Sequence, residues 1–314
     1  MKKVFKERLV AALFLLLLSS IVQADGVAIP KVGGFLVLNG NSLTEVRTVE
    51  MGGEDVPKLA VHPSSAVMAG MSADKLTFWN LPSFAEASRH SEPIFAAVTD
   101  LAFSADGSTL YLLSGELRAV IKFDLATSRV SGTLPVPGGE PLWLKAHAKG
   151  VVVGQENSVS LLSATAEEGL LSQFRFPEKI SSALVREERL YLTRAGVAGI
   201  DSYEVQSGRA IGFLPTANPL SRLVGGVTDG LYALSQNGEV QAWTVDAAQP
   251  RWTIQSGGVA FDELVTGGDG STVFAYAEAS QTLVSLDTAL GKENARVNLG
   301  ASFRRSPVVF SASF

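Results

Sequence analysis

The chain has 314 residues, 46% of them apolar, a formal net charge of −5 and no cysteine. That charge argues against nucleic acid or an anionic membrane surface as the partner. The lack of cysteine excludes disulfides, thiol catalysis, thiolate metal sites and covalent c-type haem attachment, and a chain this long buries enough surface to fold without cross-links.

The first two dozen residues read as an export signal. Lys2, Lys3, Lys6 and Arg8 give a basic start, residues 9–18 are almost wholly apolar, and Val22-Gln23-Ala24 puts small residues at −3 and −1 of a cut. The apolar run is short for a membrane span of ~20 residues, and no cysteine follows it to carry a lipid. The expectation is cleavage after Ala24, a periplasmic or secreted product, and no membrane insertion afterwards. Losing four basic residues and one acid takes the formal charge from −5 to −8. Residues 25–314 are then expected to form one domain.

Next come FLVLNGN from Phe35 and TEVRTVE from Thr44, which read as third and fourth strands of a unit that lacks its first. From there the chain repeats. Apolar triplets begin at Leu59, Leu101, Leu142, Ala183, Arg222 and Glu263, with a seventh near Pro307, and the gaps are 42, 41, 41, 39, 41 and 44 residues. A period of roughly 40–45 residues with several strands in each is the signature of a propeller blade.

The clearest unit starts at Asp100. Residues 101–104 read as a first strand, Ala105-Asp106-Gly107 as a tight turn, 109–114 as a second strand, 119–124 as a third and 130–136 as a fourth. Second strands recur as AVMAGMS from Ala66, GVVVGQE from Gly150, RLYLTRA from Arg189, GLYALSQ from Gly230 and TVFAYAE from Thr272. No segment beyond residue 24 keeps a helical period. The chain ends FRRSPVVFSASF, a first strand with nothing after it. An open ring would expose two sheet edges. The expected fold is therefore all-β, a seven-bladed β-propeller whose composite blade is closed by N- and C-terminal strands, with residues near 303–314 inside and 27–51 outside.

The unit from Asp100, with SADGSTLYLLSG followed by AVIKFDLATSRVSGTLPV, resembles the YVTN-type bacterial β-propeller repeat, and GDGSTVFAYAEASQTLVSLDTALGK in the unit from Glu263 is similar. The resemblance implies a seven-bladed ring in the wide neighbourhood of lactonase-like and quinoprotein-like propellers, whose activities are diverse. Phe78-Trp79-Asn80 and Ala242-Trp243-Thr244 look distantly like WD repeats without the Asp. Both Trp residues read as packing between blades.

Motifs for chemistry are sparse. His62 and His147 read as turn residues after first strands, His90 as part of a polar connection, and none has a partner at metal-ligand spacing. There is no G-x-S-x-G elbow and no strand–Gly loop–helix unit, so no catalytic, metal or cofactor residue is assigned. One constellation recurs where function could reside. The loops entering the first strands carry Glu54, Asp55, Asp100, Glu140, Arg222, Asp262, Glu263, Arg304 and Arg305. Each acid could instead hydrogen-bond turn amides of its own blade. Together they could form a mixed-charge ring at a channel mouth that binds a polar ligand or a partner's loop. The leading expectation is a non-catalytic module binding a protein or envelope component. The lactonase-like resemblance implies a hydrolase, or a subunit of a quinone-linked dehydrogenase, as an alternative. A small polar-ligand sensor or carrier is a third.

Overall fold

The computed structural model describes residues 24–56, 58–64, 66–165, 169–226, 230–245, 247, 249–255, 259–267, 270–300, 303 and 308–312. The chain opens with β1 (Ala24–Lys31), β2 (Gly34–Asn39) and β3 (Glu45–Glu50). Six consecutive units follow, each one blade. Blade I is β4 (Lys58–Val61), β5 (Val67–Ser72), β6 (Lys75–Asn80) and β7 (Ala85–Ser91). Blade II is β8 (Val98–Phe103), β9 (Thr109–Ser114), β10 (Ala119–Asp124) and β11 (Arg129–Pro135). Blade III is β12 (Trp143–His147), β13 (Gly150–Gly154), β14 (Ser158–Ser163) and β15 (Leu170–Arg175). Blade IV is β16 (Ile180–Arg186), β17 (Arg189–Arg194), β18 (Gly199–Glu204) and β19 (Ala210–Pro215). Blade V is β20 (Leu220–Gly225), β21 (Gly230–Ser235), β22 (Val240–Thr244) and β23 (Trp252–Ile254). Blade VI is β24 (Glu263–Thr266), β25 (Thr272–Ala277), β26 (Thr282–Asp287) and β27 (Glu293–Asn298). The last strand, β28 (Val308–Ala312), returns to pair with β1, giving the order β28-β1-β2-β3 in blade VII.

All pairings are antiparallel, and the first strands touch in cyclic order from β4 through β8, β12, β16, β20, β24 and β28 back to β4. The molecule is a closed seven-bladed β-propeller with the first strands around a central channel. Blade VII is composite as the sequence implies, with residues 308–312 inside and 24–50 outside. Its second strand, β1, is the element the sequence reading left out. Pro30 sits within it, and its partner strand lies at the far end of the chain.

The core is not one cluster but seven, each between neighbouring blades. That follows from the pattern. Second and third strands are apolar on both faces, because each blade is covered on both sides. Fourth strands alternate, as in Arg129–Pro135, because only one face is covered. Trp79 and Trp243 are buried between blades.

The histidines differ from the sequence reading. His147 is the last residue of β12, and its side chain is buried. The polar KAHAKG string reads as a turn, but only Ala148 and Lys149 separate β12 from β13. His90 lies within β7 and contacts the rings of Phe78 and Phe123. His62 does follow β4, and it ties blade I to blade II: its Nε2 is 3.0 Å from the Gly107 carbonyl and its Nδ1 2.7 Å from Ser64 Oγ. A carbonyl only accepts, so the proton is on Nε2. Gly107 has φ +75°, and a Cβ there would lie 2.1 Å from His62 Nε2, so both backbone and contact require glycine.

In the same turn Asp106 Oδ1 accepts from Ser104 Oγ (2.6 Å) and from the Ser108 amide (3.0 Å). The Ser104 hydroxyl is the main reason the Asp106 carboxyl titrates below its ordinary range, with the Ser108 bonds adding to it. A depressed carboxyl stabilises the fold above its unfolded pKa and loses that contribution as pH falls through the folded value. Ser104→Ala is therefore expected to lower the melting temperature at neutral pH, with the deficit shrinking below about pH 4. Melts of both proteins across pH 2.5 to 7 check this.

Candidate functional site

The pairing registers define a belt around the channel. Lys58 faces Met71, Asp100 faces Leu113, Trp143 faces Gly154, Ser182 faces Thr193, Arg222 faces Leu234 and Glu263 faces Tyr276. These are equivalent places in six blades, and all six residues line one cavity of about 420 Å³. The seventh place falls outside the described residues. Side chains alternate along a strand, so the next residues, Leu59, Leu101, Leu144, Ala183, Leu223 and Leu264, are buried between blades. One step further the chain returns to the first face: Ala102, Val224 and Val265 pack toward the following blade, and Lys145 is exposed at the cavity.

Neighbouring blades are stitched along this belt. Asp100 Oδ2 accepts the Leu144 amide of blade III (3.0 Å), and Ser182 Oγ accepts the Leu223 amide of blade V (3.0 Å). Arg222 Nε bonds both Glu263 oxygens at 3.1 and 3.2 Å, and its NH1 donates to the Ser221 carbonyl. Lys58 Nζ lies 3.9 Å from Asp100 Oδ1. At that distance and exposure the Lys58 pair is worth no more than about 1 kcal/mol. The Arg222–Glu263 pair is more constrained, since Glu263 is only 18% exposed.

The residues singled out in sequence separate into groups. Asp100, Arg222 and Glu263 stand on the channel wall, as members of β8, β20 and β24 rather than of the loops before them. Glu54, Asp55 and Asp262 lie outside that wall. Glu54 pairs with Lys75 and approaches Arg89 of its own blade (3.8 Å). Asp55 accepts the Gly33 amide of the β1–β2 turn (3.1 Å), and Asp262 accepts the Glu278 amide of the turn after β25 (2.8 Å). Glu140 is exposed on the loop before β12, close to Gly115. Arg304 and Arg305 lie outside the described residues.

Sequence reading did not single out Lys58, Trp143, Lys145 or Ser182. The signal was present but offset. Aligned by pairing, the buried centre of each first strand is Leu59, Leu101, Leu144, Ala183, Leu223 and Leu264, so the triplet starts at Leu142, Arg222 and Glu263 are out of register. A one-residue offset exchanges the two faces of a strand. Also missed was Arg194, at the end of β17. It holds Asp201 at 2.8 and 3.2 Å and also pairs with Glu178, fixing the loop that leads into β16 and Ser182.

Trp143 is half-buried at the wall, its ring over the backbone of its cross-strand partner. A Cβ on Gly154 would lie 1.8 Å from the indole. Gly154→Ala is expected to push the ring from its seat, shifting its fluorescence and costing about 1–3 kcal/mol in urea unfolding. A second concavity, about 320 Å³, lies on the outer flank between blades IV and V, lined by Tyr191, Ile211, Phe213, Leu214 and Val245. Among the described residues no group of three or more His, Asp or Glu side chains is placed to hold a metal ion. No helix among them is long and apolar enough to cross a membrane.

Seven four-stranded blades around a charged channel make this a β-propeller. The ring is similar to Hsv2 of Kluyveromyces lactis, itself a propeller, with a TM-score of 0.64, 10% identity, and coverage of 78% of this chain and 82% of that one. It is also similar to the computationally designed Ika8 protein, with a TM-score of 0.66, 14% identity, and coverage of 91% and 93%. At such identities the likeness is one of fold. No protein-family model and no curated protein matches the chain.

Proposed function

We propose that this propeller is an exported, non-catalytic binding module that receives a protein or envelope component on the face where the first strands begin. The observation that carries the reading is the belt. Six equivalent places in six blades present Lys58, Asp100, Trp143, Ser182, Arg222 and Glu263 to one cavity, with hydrogen bonds between blades fixing where the charges stand. A rigid scaffold presenting polar groups at a concave mouth suits recognition. Export is supported by the basic-then-apolar start and small residues before Asp25, and β1 spans the proposed cut with nearly all of its length after it. The resemblance of two units to the YVTN-type bacterial β-propeller repeat supports the same reading.

The test is in-cell cross-linking of the tagged full chain, with mass spectrometry of what it captures. The comparison is a variant carrying Asp100→Asn, Glu140→Gln and Arg222→Gln. Asparagine keeps an acceptor for the Leu144 amide, so the ring should fold. Loss of a reproducible partner in the variant, at unchanged expression, is the expected result. Capture that is indifferent to the three changes would remove this face as the binding surface.

A further inference from the structure

We infer that the channel holds an anion site for a carboxylate, formed by Lys145, Ser182 and Arg222 on three consecutive blades. The inference deepens the reading of the channel face as a binding surface and rests on it.

The charges along the channel are not evenly matched. Lys58 has Asp100, and Arg222 has Glu263. Lys145 has neither an ion pair nor a hydrogen bond among the described residues, although it lines the same cavity. The corresponding positions in other blades include Ala102, Val224 and Val265. Lys145 is exposed to solvent, so its ammonium is open to a ligand, and no contact of the fold has to be broken to engage it.

The donors nearby are also incompletely used. Arg222 commits Nε to Glu263 and NH1 to the Ser221 carbonyl, leaving NH2 without a partner among the described residues. Ser182 Oγ accepts from the Leu223 amide, which leaves its proton to donate. Lys145 on β12, Ser182 on β16 and Arg222 on β20 thus form an arc on one side of the channel. The two carboxylates, Asp100 and Glu263, flank this arc on blades II and VI and are already engaged, Asp100 by the Leu144 amide and Lys58, Glu263 by Arg222. Lys145 stands two residues along β12 from the level of Ser182 and Arg222, and guanidinium, ammonium and hydroxyl donors lining one concavity suit a carboxylate. Trp143 beside Lys145 offers an aromatic surface to whatever apolar body the carboxylate carries. A cavity of about 420 Å³ falls within the size of small-ligand sites. The carboxylate could belong to a free organic acid or to the C-terminus of a partner chain.

Both sources are tested on the purified protein by calorimetry and by the indole N–H signals in ¹⁵N NMR. One arm titrates acetate, benzoate and succinate. The other titrates a short peptide with a free C-terminus against the same peptide amidated. Saturable binding at millimolar concentration or tighter in either arm is expected, with the Trp143 indole shifting. Lys145→Met, which breaks no contact of the fold, should weaken it about tenfold or more, and Arg222→Gln should do likewise. Lys58→Met, on the far side, should leave it unchanged. Binding by small acids alone points to a metabolite-like ligand. Binding only by the free-ended peptide points to a partner's chain end. No saturable binding in either arm, or binding untouched by Lys145→Met, overturns the inference. If a cross-linked partner survives Lys145→Met but is lost with the three mouth changes, the binding face stands and the carboxylate site fails.

Discussion

Replacing Trp79 by alanine is expected to cost the ring about 3–5 kcal/mol in urea unfolding, among the largest effects of any single truncation. Trp79 is 2% exposed and lies in the cluster between blades VII and I. Its ring centroid is 5.0 Å from that of Phe35, edge on, so it packs a third strand of blade I against a third strand of blade VII. The cavity left by an indole cannot close, because strands on both sides are held in ladders. The position adds a second consequence. This interface joins the composite blade to its neighbour, so loosening it should speed amide exchange in β28 and β1 before the rest of the molecule opens. A loss below about 1 kcal/mol, or exchange that rises uniformly, would show that the closure does not depend on this contact.

The second large effect is expected at Arg194. Asp201 is 7% exposed and is held by two guanidinium nitrogens, with Glu178 on a third. Arg194→Met keeps the volume of the stem and strands a nearly buried carboxylate, at a cost of about 3 kcal/mol or more. Removing both charges, Arg194→Met with Asp201→Asn, should recover much of that loss, because an uncompensated charge costs more than a missing pair. The cycle read by urea unfolding decides it. A double variant whose loss equals the sum of the two single losses would mean the pair contributes little. Because Glu178 lies in the loop leading to β16, the single variant should also disturb the channel face near Ser182.

The ring was legible because its grammar is local. In blade II the strands at 109–114 and 119–124 have the bounds expected from sequence, since a tight turn precedes one, apolar residues fill both, and both faces are covered. The composite blade was legible from the other side, through the liability of two open edges. β1 was not, because its partner β28 lies at the opposite end of the chain, and nothing local marks such a pairing. The same limit governs the site. Alternation says that Arg222 and Leu223 point to opposite faces, but not that Leu223 meets blade IV and Arg222 meets Glu263 of blade VI. The acids before each first strand looked alike in sequence. Glu54, Asp55 and Asp262 are committed to nearby turns and side chains, whereas Asp100 reaches across to the next blade. Lys145 gave no signal, because its meaning depends on having no counter-charge around the ring.

A photoreactive residue beside the channel wall reports whether a partner docks on the face where the first strands begin. Leu142 is 51% exposed beside the channel wall, and Phe213 is 51% exposed on the outer flank between blades IV and V. A photo-cross-linking amino acid at each position, in separate proteins activated in cells, reports what lies against each surface. A discrete cross-linked product is expected from position 142, and it should be lost when Asp100→Asn, Glu140→Gln and Arg222→Gln are added. A product from position 213 alone, unaffected by those changes, would contradict docking on that face and move the binding surface to the outer groove.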